Sequence, residues 1–372
     1  MQFVDEYRDP VLIKRLSAAI HERVKDRQYR IMEICGGHTH SIYRFGLQEL
    51  LPSNIELIHG PGCPVCVLPM GKVDEALVLA RTHDITLTAF GDVMRVPGSK
   101  ESPFQAKAQG ADIRMVYSPM DALKIAMNDP SREVVFFAIG FETTAPSTAL
   151  TIINAARLGI ENFSVFCNHV TVGPPLRAIM DNEFFDLDGF IGPGHVSTVI
   201  GLTPYDFVAD EYHRPIVVTG FEPADLMESI LWLVKLIDAG EATVENQYVR
   251  AVQREGNGAA LAAMAEVFEE RPKFEWRGLG SIDSSALRLR EPYQRFDAEL
   301  RYSVTPIKSP EPEGALCGEV LIGQRRPEEC PLLGSSCRPE SPIGALMVSS
   351  EGACSAYYTY VHRRLVTNGE RP

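Results

Sequence analysis

Short runs of apolar and β-branched residues recur along the chain from about residue 30 to 220, separated by longer stretches whose apolar positions fall at helical spacing. The runs "YRIMEIC", "IELIHG", "ITLTAF", "DIRMVY", "EVVFFAIG", "FSVFCNH", "DGFIG" and "PIVVTG" read as strands. Between them, "KVDEALVLARTH", "PMDALKIAMND" and "TTAPSTALTIINAARLG" read as amphipathic helices. That alternation predicts an α/β fold with parallel sheets, and eight strands are too many for one small unit. We therefore expect two parallel-sheet lobes facing a cleft, followed by a helical and irregular C-terminal domain. The expected divisions are an N-terminal helix in 1–30, lobe I in 31–118, lobe II in 119–225 and the C-terminal domain in 226–372. In the last of these, "DLMESILWLVKLIDAG" and "TVENQYVRAVQREGNGAALAAMAEVFEE" read as helices, and the chain from about 270 is irregular and rich in Pro and Gly.

Several strands end in a glycine-rich polar corner: "CGGHTH" (35–40), "GPGCPVC" (60–66), "GFETT" (140–144), "GPGHVS" (192–197) and "GFEPAD" (220–225). Open α/β sheets bind ligands beyond the carboxyl ends of their strands, so these corners are expected to line one cleft. The echoes of "GPGC" in "GPGH" and of "GFET" in "GFEP" fit two related lobes.

Composition narrows the chemistry. The formal charge of -13 opposes binding to nucleic acid or to anionic membranes. No apolar run reaches the ~20 residues that cross a bilayer, and the N-terminus lacks a secretory core. A cytoplasmic protein is expected, and in a reducing compartment eight cysteines point to metal or redox chemistry rather than structural disulfides. No G-x-x-x-x-G-K-[ST] or G-x-S-x-G occurs, and "GNGAAL" lacks a third glycine, so ATP hydrolysis, esterase and nicotinamide chemistry lose support.

Four cysteines lie in the irregular tail, Cys317, Cys330, Cys337 and Cys354, in the pattern C-x12-C-x6-C-x16-C. Four thiolates hold either zinc or a cubane iron–sulfur cluster, and the absence of closely paired knuckles favours iron–sulfur. Cys35 ends a strand, with His38 and His40 in the turn that opens the next helix. The helix dipole should lower its thiol pKa, and sulfur beside imidazole suits iron. Taken singly, these residues also read as a buried cysteine and capping histidines. Cys63 and Cys66 form a C-x-x-C stiffened by Pro64, which suits a redox dithiol better than half of a zinc site. His195, His169 and Asp92 are weaker strand-end candidates, and Cys167 reads as core. Glu142 and Glu222 could orient histidines or charge a helix N-terminus.

Together "CGGHTH", "GPGCPVC", "GFETT", "GPGHVS" and the four spaced tail cysteines closely resemble the HypD family, the maturation factors of [NiFe] hydrogenases, over nearly the whole chain. The resemblance implies a scaffold for assembling the Fe(CN)2CO group, on which a transient iron sits between Cys35 and the N-terminal cysteine of a HypC-type chaperone. It implies cyanide delivered as thiocyanate by a HypE-type donor, with transfer to the hydrogenase large subunit through the chaperone. It also implies a [4Fe-4S] cluster on Cys317, Cys330, Cys337 and Cys354, exchanging electrons with Cys63 and Cys66. Cys35, Cys63, Cys66, His38, His40, His195 and Glu142 are then the reactive set, in a scaffold rather than a turnover enzyme. A stand-alone iron–sulfur disulfide reductase is the alternative, and a zinc-stabilised interaction module a third.

Overall fold

A computed structural model describes residues 5–182 and 186–368, so the first and last four residues of the expected divisions lie outside it. All eight expected strands form: β1 (Tyr29–Glu33), β2 (Ile55–His59), β3 (Ile85–Ala89), β4 (Ile113–Met115), β5 (Glu133–Gly140), β6 (Phe163–His169), β7 (Gly189–Pro193) and β8 (Ile216–Thr219). A short strand, β9 (Val244–Asn246), follows. Two all-parallel sheets result, one in the order β2-β1-β7-β8-β9 and one in the order β4-β3-β5-β6. Their central strands are buried on both faces, which is why they read as continuous apolar runs rather than alternating ones.

The sheets divide the chain differently from the expected boundary at 118/119. β1 and β2 share a sheet with β7 and β8, whereas β3 and β4 join β5 and β6. The chain therefore enters the first sheet, builds the whole of the second, and returns. Strands with the same buried apolar pattern carry no label for the sheet they will join, so chain order alone suggested the wrong grouping. The first helix, Pro10–Arg23, packs against Pro223–Ala239, a helix from the returning segment. Ile20 meets Leu226, Ile230 and Val234 in that shared core.

Each sheet has a topological switch point, where successive connections leave in opposite directions. In the first sheet it lies between β1 and β7, and in the second between β3 and β5. Crevices open at such points because the diverging connections leave the strand ends uncovered.

The C-terminal region departs from the expected helices. "TVENQ" forms edge strand β9, and the helix is confined to Gly258–Val267. Residues expected to end that helix and to run irregularly beyond about 270 form an antiparallel hairpin, β10 (Phe268–Trp276) and β11 (Gly280–Leu289). Pro272 and a bulge between Arg271 and Lys273 break the alternation that would have revealed β10. Gly278 and Gly280, at φ of 80° and 73°, supply the left-handed turn. The hairpin anchors the 63–66 region: the Arg277 N–H donates to the Val67 carbonyl at 2.9 Å, and Trp276, buried against Phe141, donates through Nε1 to Ser285.

The following tail lies tightly on the α/β body. A Cβ at Gly71, in helix Met70–Thr82, would fall 1.8 Å from the Ile307 carbonyl oxygen. Gly71→Ala must therefore lift the 303–311 segment or distort the helix. Urea unfolding should show a loss of about 1–3 kcal/mol, and stability equal to wild type would mean that the segment is not docked there.

Candidate functional site

The two switch points open into one cleft. Cys35 and His195 contribute from the first sheet, Phe90 and Asp92 follow β3, Ile139 and Gly140 end β5, and Phe141, Thr143 and Thr144 follow it, whereas Glu142 is not among the lining residues. The 60–66 corner enters through Gly62, Pro64 and Val65, and the tail closes the rim with Ser349 and Glu351. Four of the five glycine-rich corners thus meet as expected. The fifth reaches the neighbourhood through Phe221, whose ring stacks on His195 at 3.8 Å and on His38 at 4.8 Å.

Cys35 is the N-cap residue of helix Gly36–Arg44 and is almost fully buried. Its thiol is pushed up, not down. Burial is the largest cause, joined by the carboxylates of Glu351 and Glu33, and together they outweigh the amides of Gly37 and His38. The amides at the helix start act in the expected direction but more weakly than burial, so a neutral thiol needs a cation to become a thiolate.

Beneath Cys35 lies a buried carboxylate. Glu33, fully excluded from solvent, accepts from the Cys35 N–H at 2.9 Å through Oε2 and from His59 Nδ1 at 2.8 Å through Oε1. The Thr39 hydroxyl also donates to Oε1. A buried carboxylate is tolerated only when donors converge on it in this way. Above Cys35 the approach is closer still. A Cβ on Gly62 would lie 2.3 Å from the Cys35 Cα and N, and the Gly62 carbonyl accepts the Gly36 N–H at 3.2 Å.

Cys63 and Cys66 are joined as a disulfide across a one-turn helix, Pro64–Val67, with Cα atoms 5.2 Å apart. One side of this loop lines the cleft. On the other, Cys66 Sγ faces the Ala345 carbonyl at 3.9 Å. The next residue back, Gly344, abuts the tail thiols, since a Cβ there would fall 2.1 Å from Cys317 Sγ.

Cys317, Cys330, Cys337 and Cys354 all line a single cavity walled by Leu316, Leu332, Leu333 and Met347. The Ile343 N–H points at Cys337 Sγ at 3.4 Å. Burial and the neighbouring thiols raise Cys354 well above its usual range, and burial lifts Cys317 to about 11. Among the described residues, no three His, Cys, Asp or Glu side chains close on one point at ion-binding distance.

The remaining candidates separate. His195 is the one histidine of the reactive set that lines the cleft. His38 is buried, with Nε2 3.3 Å from the Thr219 carbonyl and Nδ1 without a partner, and burial lowers its pKa to about 4. His40 turns away to the tail, meeting the Ser350 carbonyl at 3.1 Å and the Tyr360 hydroxyl at 3.4 Å. His169 is held by Thr148 at 2.9 Å, and Cys167 packs in the core with its thiol on the Leu287 carbonyl. Glu222 caps helix Pro223–Ala239 and pairs with Arg8. The sequence reading missed Glu33, His59, Phe221 and Glu351. A glutamate inside the apolar strand "YRIMEIC" was the available signal, because an unpaired charge there would be costly.

The geometry meets its counterparts in known proteins. The HypD family model, described as the hydrogenase formation hypA family, matches residues 11–361. The chain is 56% identical over 370 residues to the hydrogenase maturation factor HypD of Rhodobacter capsulatus, covering 97% of this chain and 98% of that one. It is 51% identical over 366 residues to HypD of Escherichia coli, covering 97% and 98%. It is also 51% identical over 368 residues to HypD of Cupriavidus necator, covering 97% of each. The chain belongs to the HypD family of hydrogenase maturation factors. No helix among the described residues is long and apolar enough to cross a membrane.

Glu142 yields a test by pH. It is buried, Oε1 accepts the Val172 N–H at 3.0 Å, and Oε2 has no partner, so burial raises it from 4.5 to about 7. The folded chain keeps this proton to higher pH than the unfolded chain does. Stability is therefore full at low pH and falls as pH rises from about 4.5 to about 7. Glu142→Gln keeps the acceptor for Val172 and should remove that slope. In urea unfolding at pH 8 it should exceed wild type by on the order of 2–3 kcal/mol, with little difference at pH 4.5. Parallel pH profiles would contradict this.

Proposed function

We propose that the chain is a scaffold on which the Fe(CN)2CO group of a [NiFe] hydrogenase is assembled, with Cys35 as the anchor of the iron and Cys63/Cys66 as the source of reducing equivalents. The observation that carries this reading is the position of the 63–66 loop, which has the Cys35 cleft on one side and the tail-thiol cavity, through Ala345 and Gly344, on the other. A stand-alone disulfide reductase would use the loop and cavity but leave Cys35, Asp92 and His195 without a task.

The iron is cargo. A buried neutral thiol at Cys35 gives up its proton when a cation arrives, and Glu351 and Asp92 offer nearby carboxylates to receive charge or protons. His195 is the imidazole with access to the cleft and the best placed to complete coordination or move a proton. Cyanide supplied as a thiocyanate arrives bonded to sulfur. Its S–C bond breaks with two electrons, the sulfur leaves as a thiol, and cyanide binds the iron. Cys63 and Cys66 supply both electrons by closing to the disulfide and release two protons, one taken by the leaving sulfur and the other passing to solvent.

Cys317, Cys330, Cys337 and Cys354 line one cavity, and because no two of them are spaced as a zinc knuckle they support an iron–sulfur cluster rather than zinc. Such a cluster supplies one-electron transfers. Leu316, Leu332 and Leu333 would keep water from it, and the Ile343 N–H would donate to the Cys337 sulfur. The partners of this reading are a HypC-type chaperone, a HypE-type cyanide donor and, through the chaperone, the hydrogenase large subunit, all in the cytoplasm.

Two variants test the assignment. Cys330→Ser, purified anaerobically, should lose iron and the broad visible absorbance and unfold at lower temperature, because ligation and folding of the tail are coupled. Normal iron content with unchanged thermal stability would remove the cluster. Cys63→Ala should keep iron and absorbance yet leave hydrogenase inactive in a complemented strain. Full hydrogenase activity there would remove the dithiol's role.

A further inference from the structure

Glu33 and His59 are side by side in the parallel register of β1 and β2, two residues before the corner that carries Cys35 and one residue before the corner that carries the disulfide. The carboxylate is acceptor-only, so the hydrogen between Glu33 Oε1 and His59 belongs to Nδ1. In the neutral imidazole this leaves Nε2 as a bare acceptor. It is buried and has no partner, in a residue only 9% exposed. His59 lines a small cavity together with Cys63, Gly36, Thr39 and Glu351. A buried acceptor left unpaired is costly, so its presence beside a breakable bond calls for an explanation.

We propose that His59 Nε2 receives the Cys63 thiol when the Cys63–Cys66 bridge opens, and that Glu33 and His59 are the positioning pair that passes the state of the bridge to Cys35. The inference rests on the reading of Cys63 and Cys66 as a dithiol that opens and closes. Opening by two equivalents of an added thiol such as glutathione breaks the S–S bond. The reductant becomes its own disulfide, and its two electrons and two protons leave Cys63 and Cys66 as thiols. The new Cys63 S–H is a donor, and Nε2 is the unpartnered acceptor in the same cavity. Any shift of His59 is felt by Glu33, whose other oxygen holds the Cys35 N–H. The backbone runs the same way: the Gly60 N–H donates to the Glu33 carbonyl at 2.8 Å, and Gly62 carries the Gly36 N–H.

Two variants separate this role from a structural one. In His59→Asn the side-chain amide takes the place of Nδ1–H and still donates to Glu33, but nothing stands at Nε2. In Glu33→Gln the oxygen keeps the Cys35 N–H while the new amide donates to Nδ1, so the ring's hydrogen moves to Nε2 and the acceptor is lost. Full-length protein, purified anaerobically with its iron, is equilibrated in glutathione redox buffers. Alkylation at Cys35, Cys63 and Cys66 is then read by peptide mass spectrometry. Both variants should shift the equilibrium towards the disulfide by about fivefold, the weight of one ordinary hydrogen bond. In wild type, opening the bridge should change the alkylation rate of Cys35, and in both variants that change should be lost. A wild-type equilibrium and a wild-type response of Cys35 in a variant with unchanged thermal unfolding would overturn the proposal. A wild-type bridge that opens at no glutathione ratio would instead overturn the dithiol reading beneath it.

Discussion

The site depends on a bare backbone contact, Gly62 resting on Cys35. Without a side chain at 62 the loop carrying the disulfide lies directly on the strand-end cysteine, and a single Cβ would force the two apart. Beneath, the buried Glu33 carboxylate holds the Cys35 N–H, Thr39 and His59 in one arrangement. Glycine above and a carboxylate below together fix the one thiol of the cleft. Both features belong to corners between parallel strands, where the chain turns sharply and backbone donors are otherwise unpaired.

The interleaved topology turns two ordinary crevices into one. Had each sheet been built from its own continuous segment, each switch point could have faced away from the other. Because the chain leaves the first sheet after β2 and returns at β7, the ends of β1 and β7 face those of β3 and β5 across the cleft. The tail then closes the arrangement from behind. Ala345 and Gly344 touch the disulfide on one side and the tail thiols on the other, so the cysteine sets form a series rather than separate sites.

Much of this was legible in the sequence. Eight parallel strands announced themselves as apolar runs, and glycine-rich corners at their ends marked the cleft. What escaped notice has physical reasons. Identical strand patterns do not encode sheet membership. The β10 strand is masked by Pro272 and charged residues, because a two-stranded hairpin on the body's surface needs only one apolar face. The Cys35 thiol was expected to be acidic from the helix dipole, but dipole effects of up to about 2 kcal/mol are outweighed by burial beside two carboxylates. His40 was grouped with Cys35 by sequence proximity, yet helical geometry carries it to the tail, where Ser350 and Tyr360 take it. Glu351 and His59 could be placed only by the fold, since nothing local distinguishes them.

The claim that Cys35 anchors the iron cargo is tested most directly by infrared spectroscopy of the protein copurified anaerobically with its small chaperone partner. Stretching bands of iron-bound cyanide and carbonyl should appear in the wild-type complex and vanish in Cys35→Ala, while the visible absorbance of the tail site is retained. Bands of unchanged position and intensity in Cys35→Ala would contradict it.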